Sequence, residues 1–226
     1  MTKIDVPTCS ECNQLHCYRH DKRYPKHCLT TALDEAERAE LAARYAGADA
    51  SDSRIAHAAA EVEGLYYGKI NRVEETVAFA RRIGAARIGI ATCFGLIEET
   101  RTLVKILRLA GFQTFTALCK VGSIDKTEMG IPEKLKIKCD SHEAGCNPIL
   151  QARLLNREQT GLNIIMGLCV GHDSLFIKHS EAPVTTLVVK DRVLGHNPVA
   201  ALQLADSYYS HLYGPQKPPP KRRGRP

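Results

Sequence analysis

The sequence predicts an α/β fold: a mainly parallel, open sheet of about four strands with flanking helices, which follows a small cysteine-rich knuckle and a helical segment. Two observations support this. Apolar strand-like runs alternate with amphipathic helical runs beyond residue 71. In addition, four of the nine cysteines fall within the first 28 residues, ahead of that alternation.

The N-terminal cysteines Cys9, Cys12, Cys17 and Cys28 form a C-x2-C-x4-C-x10-C run. Zinc takes four soft donors in a tetrahedron, and a C-x2-C turn supplies two of them. We therefore predict a metal knuckle over residues 1–31. An iron–sulfur cluster also takes four cysteines, and spacing does not separate the two. Spare ligands in the same segment are His16, His20 and His27. The alternative is a chance group of cysteines without metal.

Three helices are expected after the knuckle, at residues 32–45, at about 53–68, and from an Asn71 cap to Ile83. The first is rich in strong helix formers. Asn71 followed by Glu74 resembles a capping box, and Gly84 is a suitable stop for the third helix.

The body then alternates between strands and helices. Buried strands are predicted at residues 87–92, 114–119, 162–169 and 184–190. Helices are predicted at residues 97–110, 148–158 and 198–213. Apolar strands joined through helices indicate a mainly parallel sheet covered on both faces. Residues 121–145 form a long polar loop, and loops of that length are often functional. The predicted domains are a knuckle at 1–31, the body at 32–213 and a disordered basic tail at 214–226.

The positive charge is concentrated at the end of the chain. Removing the five basic residues of the last ten from a net charge of +6 leaves +1; they are Lys217, Lys221, Arg222, Arg223 and Arg225. The body therefore has no nucleic-acid footprint of its own. Arg223-Gly224-Arg225-Pro226 matches the core of an AT-hook, which inserts arginines into A·T-rich minor grooves. A solvated basic tail is the alternative reading, so DNA is a weakly supported partner.

The chain contains no run of roughly 18 apolar residues, so no membrane partner is predicted. The N-terminus, MTKIDVPTCSEC, lacks the apolar core of a signal peptide. The expected compartment is a reducing cytoplasm, where cysteine clusters serve metal binding or catalysis more often than disulfides. No G-x-G-x-x-G or Walker motif is present, so the sequence gives no support for nucleotide binding.

A second group of cysteines falls where predicted strands end. Cys93 directly follows the first strand, Cys119 and Cys169 are the last residues of the second and third, and ligands of open parallel sheets bind beyond these carboxyl ends. Cys146 precedes a predicted helix and is expected to join them, while Cys139 lies in the long loop. We predict a shared cysteine site that holds zinc or an iron–sulfur cluster, or three ligands with an open position for a substrate. The alternative is that each cysteine is a small buried hydrophobe.

His172 lies three residues after Cys169 and is a further candidate for this site, as a ligand or a proton donor oriented by Asp173. The intervening Gly171 permits a turn toward the crevice. The alternative is a solvated histidine in a surface turn. His196 also precedes a predicted helix, in a Gly-His-Asn-Pro sequence that resembles the Gly-Cys-Asn-Pro around Cys146.

Several segments resemble an uncharacterised family of cysteine-rich bacterial and archaeal proteins that is usually labelled metal-binding. The segments are PTCSECNQLHC, YPKHCLT, GIATCFGL, GCNPILQA, GLCVGHDSLFIKHS and KDRVLGHNPVAAL. The resemblance covers residue 9 to about 205 and implies metal binding in the cytoplasm, with no catalytic residues to carry over. The N-terminal cysteines match its first motif, and Cys146, Cys169 and His172 match its internal motifs.

Three functional hypotheses follow. The first is a metalloprotein with a structural N-terminal site and a functional crevice site, including a redox or sulfur-handling enzyme with a small-molecule substrate or an electron partner. The second is a non-catalytic zinc-binding or metal-handling protein. The third is a metal-responsive, DNA-associated protein that uses the basic tail.

Overall fold

The computed structural model describes residues 8–19, 23–26, 28–47 and 51–215. The chain divides into two compact units, Met1–Tyr67 and Gly68–Pro226. His20, His27 and most of the predicted tail lie outside the described residues. The predicted domain bounds at residues 31 and 213 stay predictions.

The N-terminal unit contains short helical elements followed by two longer helices. A 3-10 turn spans Cys9–Glu11, and the helices are α1 (His16–Arg19), α2 (Leu29–Ala32), α3 (Glu35–Ala46) and α4 (Ser51–Tyr66). The prediction of one helix over 32–45 was wrong at its start. Asp34 is extended and its Oδ1 accepts a hydrogen bond from the Glu37 N–H at 2.7 Å, so it caps a separate helix that begins at Glu35.

The second unit is built on a four-stranded sheet. Its strands are β1 (Arg87–Thr92), β2 (Gln113–Leu118), β3 (Leu162–Met166) and β4 (Val184–Val188), in the order β2-β1-β3-β4. All three strand pairs are parallel, which confirms the predicted fold class. In this order the chain reverses its winding beside β1, and the carboxyl ends of β1 and β3 flank the position where such sheets bind ligands.

Helices cover both faces of the sheet. On one face, α5 (Arg72–Arg82) and α6 (Ile97–Leu109) bury Ile88, Ile90 and Ile164. On the other, α7 (Pro148–Arg157) and α8 (His172–His179) pack over the remaining residues of the same strands. Burial on both faces explains why every residue of β3 is buried.

A glycine in β1 allows α7 to pack closely on the sheet. A Cβ at Gly89 would lie 2.1 Å from Asn163 Oδ1 and 2.8 Å from Leu155 Cδ1. The buried Asn163 side chain accepts from Thr160 Oγ1 at 2.7 Å and donates to Ser180 Oγ at 2.8 Å, so its position is fixed. The absence of a side chain at Gly89 therefore sets the distance between the sheet and α7.

The carboxyl edge differs from the prediction after β3. The predicted strand to Cys169 ends at Met166, because Gly167 adopts a φ of +67° and leaves the extended conformation, although its N–H still donates to the Val188 carbonyl at 2.8 Å. The predicted turn at Gly171 leads into a further helix, α8. Gly171, at φ +84°, reverses the chain, and the His172 N–H then donates to the Cys169 carbonyl at 2.9 Å.

The last predicted helix, over 198–213, was wrong in its extent. The helix α9 covers only Val199–Gln203, and a 3-10 turn follows at Ser210–Tyr213. Asp206 and Ser207, which lie between them, are polar and weak helix formers. Among the described residues, no helix has the length and apolar character needed to cross a bilayer.

Candidate thiol site

Cys93 and Cys119 are held side by side at the carboxyl edge of the sheet. Each directly follows its strand, and both are buried. The Cys93 N–H donates to the Met166 carbonyl at 3.1 Å, and the Cys119 N–H donates to the Thr92 carbonyl at 2.8 Å. The parallel ladder thus continues one residue past each strand and fixes both backbones.

Cys146 reaches the same place from the start of α7. The Asn147 N–H donates to the Cys119 carbonyl at 2.8 Å, while the Asn147 side chain accepts from the Leu150 N–H and caps the helix. One residue therefore ties the helix start to the end of β2. The thiol of Cys119 lies against the thiols of both Cys93 and Cys146. We call these three cysteines the thiol row.

The three cysteines of the thiol row have different pKa values. Hydrogen bonding from Cys119 lowers the pKa of Cys93 to about 5 against the opposing effect of burial, and Lys190 assists. Hydrogen bonding from Cys119 likewise lowers the pKa of Cys146 to about 5, with Lys120 and His172 assisting. Interaction with Cys146 and Cys93, together with burial, raises the pKa of Cys119 well above its ordinary value. The two outer thiols therefore lose their protons more readily than an ordinary cysteine, and the central one holds its proton more firmly.

A cavity of about 390 Å³ opens beside the thiol row. Cys93 and Cys146 line it together with Cys169 and His172. We call this space the rim cavity. The predicted site residues Cys93, Cys119, Cys146, Cys169 and His172 are thus all at or next to one cavity, although Cys119 itself lies beneath it in the core.

Cys169 is in the rim cavity but not in the thiol row. Arg192 Nη2 donates to Cys169 Sγ at 2.9 Å, and this contact raises the pKa of Arg192. Cys93 and Cys146 also act on the Arg192 charge. Arg192 therefore links Cys169 electrostatically to Cys93 and Cys146.

The sequence analysis missed the basic residues of this site. Lys120, Lys190 and Arg192 follow Cys119 or β4 at the carboxyl edge, and each interacts with one of the cysteines. Ligands of open parallel sheets bind beyond the carboxyl ends of the strands, and this rule, which led to the cysteines, applies equally to these three basic residues. Their positive charge lowers thiol pKa values, so it belongs to the chemistry of the site.

The loop between β2 and α7 forms one side of the rim cavity. Asp125 is its anchor: Oδ1 accepts from the Thr127 N–H at 2.8 Å and from Lys136 Nζ at 2.8 Å, and Oδ2 accepts from the Glu143 N–H at 2.7 Å. These hydrogen bonds and the Lys136 charge hold the pKa of Asp125 far below its ordinary value. The predicted long loop is therefore an ordered structure.

A buried glutamine links the elements beneath the thiols. Gln151 Nε2, on α7, donates to the carbonyls of Ala117 at 2.7 Å and of Thr92 at 3.2 Å. These carbonyls belong to the ends of β2 and β1, just before Cys119 and Cys93. Gln151 Oε1 is buried and has no hydrogen-bond partner among the described residues.

The N-terminal cysteines are not gathered in this structure. Cys9 and Cys17 are exposed, Cys12 and Cys28 are half-buried, and all four are free thiols. A hydrogen bond from the Thr30 side chain lowers the pKa of Cys28. Across the described residues, no group of three or more His, Cys, Asp or Glu side chains is arranged to hold a metal ion.

Two other candidates have local structural roles. His196, at φ +69°, accepts a hydrogen bond on Nδ1 from the Asp191 N–H at 3.1 Å and closes the turn before α9. Cys139 is exposed in the long loop, where its thiol lies 3.8 Å from the Glu133 carbonyl oxygen. The two similar sequences, Gly-Cys-Asn-Pro at 145–148 and Gly-His-Asn-Pro at 195–198, therefore have different roles: the first brings Cys146 to the thiol row and the second closes a turn.

The fold and the site define an α/β protein that carries a cluster of thiols at the carboxyl edge of a parallel sheet. Residues 28–187 match the family described as "Protein of unknown function (DUF1847)", and the chain belongs to that family. It is also similar to the uncharacterized protein MJ0455 of Methanocaldococcus jannaschii, with 41% identity over 194 residues. That match covers 86% of this chain and 92% of the relative.

Proposed function

We propose that the protein is a metal-binding protein whose functional centre, a zinc ion or an iron–sulfur cluster, is held by the thiol row with Cys169 as the fourth ligand. The observation that supports this is the position of the Cys119 thiol between the thiols of Cys93 and Cys146, which lowers the pKa of both outer cysteines. Thiolate is the form of cysteine that binds metal. Four sulfurs from three loops lie at or next to one cavity, which suits soft-metal chemistry.

The donor set fits such a group in its chemistry but requires local rearrangement. A zinc ion with four thiolates carries two negative charges, which Lys120, Lys190 and Arg192 would offset. Cys169 Sγ would have to exchange its hydrogen bond with Arg192 for the metal, because the described donors do not already surround one point. Cys169 is only half-buried, which leaves room for that rotation.

A second metal site is proposed at Cys9, Cys12, Cys17 and Cys28. These residues lie in or next to short helical turns without buried residues, so a metal would supply the stability that a hydrophobic core does not. A reducing compartment such as the cytoplasm is the setting that this proposal assumes, since free thiols must be kept available.

Sulfur or redox chemistry at the same cysteines is the second candidate function. It is favoured by the contrast between Cys146, which is half-exposed and has a lowered pKa, and Cys119, which is buried and has a raised pKa. In such a reaction the Cys146 thiolate attacks a substrate disulfide, and one half of the substrate departs as a thiolate while a mixed disulfide forms. Cys119 then gives its proton to that thiolate and attacks Cys146 Sγ, which releases the other half of the substrate as a thiolate and leaves a Cys119–Cys146 disulfide. An external dithiol or another electron partner would have to reduce that disulfide for turnover.

Elemental analysis with an absorption spectrum, on anaerobically prepared full-length protein, tests the metal proposal. We expect bound zinc or iron, and a loss of about one equivalent of zinc, or of one cluster, in Cys119→Ser. Cys139→Ser is the matched control, because this cysteine is outside the rim cavity, and it should keep the full content.

Unchanged metal content in single Cys93, Cys119 and Cys146 variants would overturn the proposed metal centre at the thiol row. Metal-free protein that forms a Cys119–Cys146 disulfide under mild oxidation would favour the second candidate instead. A DNA-associated role of the basic tail stays a prediction, and unchanged DNA affinity after removal of residues 214–226 would eliminate it.

A further inference from the structure

The rim cavity is lined by more basic side chains than carboxylates. Among the described residues that line it, Glu143 is the one carboxylate, and its Oε1 lies 2.5 Å from Lys126 Nζ. Glu143 Oε2 also accepts the Lys138 N–H at 2.9 Å. The Glu143 carboxylate is therefore already paired and does not neutralise the other cations of the cavity.

Three further side chains line the cavity and have hydrogen-bonding capacity to spare. Lys120 Nζ has three donors, of which one bonds the Ala144 carbonyl at 2.6 Å and one interacts with Cys146, and Arg192 uses one of its five N–H groups on Cys169. The ring of His172 makes no hydrogen bond within the described part of the chain and is half-buried at the start of α8. They come from the ends of β2 and β3 and from beyond β4, so they face the cavity from several directions.

The rest of the cavity lining is largely apolar. Met129 and Ile131 contribute from the long loop, Ile149 from α7 and Leu175 from α8. An inorganic anion would contact the basic residues but leave this apolar surface in water. A volume of about 390 Å³ is at the lower end of the roughly 300–1,000 Å³ that is usual for small-molecule sites.

We propose that the rim cavity binds a small organic anion, whose acidic group is held by Lys120, His172 and Arg192 and whose hydrocarbon part packs against Met129, Ile131, Ile149 and Leu175. Such a ligand would lie directly beside Cys146, within reach of any chemistry at the thiol row. The inference concerns the same cavity as the proposed metal centre but does not depend on a metal.

A ligand that is held by sulfur or by a metal would need the cysteines, whereas this anion needs only the basic residues and the apolar lining of the cavity. Replacement of the three thiol-row cysteines by alanine removes the sulfurs and leaves the basic residues in place. The anion should then still bind, which sets it apart from a ligand that is held by sulfur or by a metal.

The test measures hexanoate and hexanol binding to full-length, reduced, chelator-treated protein by calorimetry. Hexanoate should bind and hexanol should bind at least roughly tenfold more weakly, since loss of a hydrogen bond to a charged group weakens binding by about that factor or more. His172→Asn and Lys120→Met should each weaken hexanoate binding by roughly tenfold. Lys178→Met, an exposed change on the same helix as His172, should have no effect. The alanine triple variant of the thiol row should still bind hexanoate.

Equal affinity for hexanoate and hexanol, or hexanoate binding that His172→Asn leaves unchanged, would overturn the inference. Because Lys120 also holds the Ala144 carbonyl, the His172 variant decides the outcome if Lys120→Met loosens the loop. Loss of hexanoate binding in the triple variant would also overturn it. The zinc content of the same His172 variant is measured separately. Absence of hexanoate binding therefore leaves the metal proposal intact, and absence of zinc leaves the anion site intact.

Discussion

The side-chain amide of Gln151 donates a hydrogen bond to the backbone carbonyl of Ala117 at 2.7 Å, inside the core and two residues before Cys119. Its second hydrogen bond, to the Thr92 carbonyl, reaches the residue before Cys93. Because Gln151 lies one turn into α7, which follows Cys146, a single side chain connects the three segments that carry the thiol row. We infer that it is a positioning residue for these cysteines.

Gln151→Met should change the thiols as well as the stability. The isosteric side chain loses both donors, so we expect a loss of roughly 1–3 kcal/mol in the free energy of unfolding. We also expect a shift toward higher pH in the alkylation profile of Cys146, as its spacing from Cys119 relaxes. Chemical denaturation and iodoacetamide kinetics measure the two effects. Arg153→Met, on the exposed side of α7, is the control. A stability loss with an unchanged pH profile would show a purely structural role.

The low pKa values of Cys93 and Cys146 predict how stability depends on pH. A free thiol has an ordinary value near 9, and these two lie at about 5 in the fold. Between those values the unfolded chain binds more protons at these positions than the folded chain, so the stabilisation is full above pH 9 and is lost as pH falls toward 5. Denaturation of metal-free, reduced protein should therefore show stability rising from pH 5 to pH 8.

The double variant Cys93→Ser/Cys146→Ser should lose most of that slope. The raised pKa of Cys119 acts in the opposite direction only at higher pH, where the unfolded thiol ionises and the buried one does not. A slope equal to that of the wild type would contradict the lowered pKa values of Cys93 and Cys146.

The Asp125 carboxylate should be required for the ordered loop beside the rim cavity. Asp125→Asn keeps the size of the side chain but removes the charge that faces Lys136, a side chain with only 5% exposure. We expect faster tryptic cleavage between Lys126 and Lys138, with little change in the far-UV circular dichroism of the sheet and helices. Asp140→Asn, at an exposed position of the same loop, is the control. Equal cleavage rates for both variants would show that Asp125 is not the anchor.

Gly89→Ala tests the close packing of α7 on the sheet. The added Cβ would collide with Asn163 Oδ1 and Leu155 Cδ1, and overpacking of a core typically costs about 1–3 kcal/mol. Gly64→Ala, within α4, meets no atom within 4 Å and should stabilise its helix by up to about 1 kcal/mol. Opposite signs in thermal or chemical denaturation are the expected result, and a neutral Gly89→Ala would contradict the packing described above.

The sequence was sufficient to predict the parallel sheet, because few other folds can bury apolar strands that are separated by amphipathic helices. It was also sufficient to place Cys93 and Cys119 at one edge, since both directly follow their strands. It did not show α8, because the helix depends on a single glycine, Gly171, whose positive φ reverses the chain. The apolar run through Cys169 likewise masked the end of β3 at Gly167.

The basic residues and the loop were beyond sequence reasoning for another reason. Lys120, Lys190 and Arg192 have no periodic pattern, and an isolated lysine or arginine is usually a solvated surface residue. The Asp125 anchor gathers partners up to 18 residues away through a turn that hydrophobic patterning does not encode. Tertiary structure was needed to reveal the electrostatics of the thiols.

Cobalt(II) titration tests the proposed metal centre at the thiol row and Cys169 most directly. It is carried out on a variant that lacks Cys9, Cys12, Cys17 and Cys28, so that the N-terminal cysteines cannot bind the cobalt. We predict intense thiolate-to-cobalt charge-transfer absorption that saturates near one equivalent and disappears when Cys119→Ser is added. Absence of that absorption, or its persistence after Cys119→Ser, would contradict a metal centre at the carboxyl edge of the sheet.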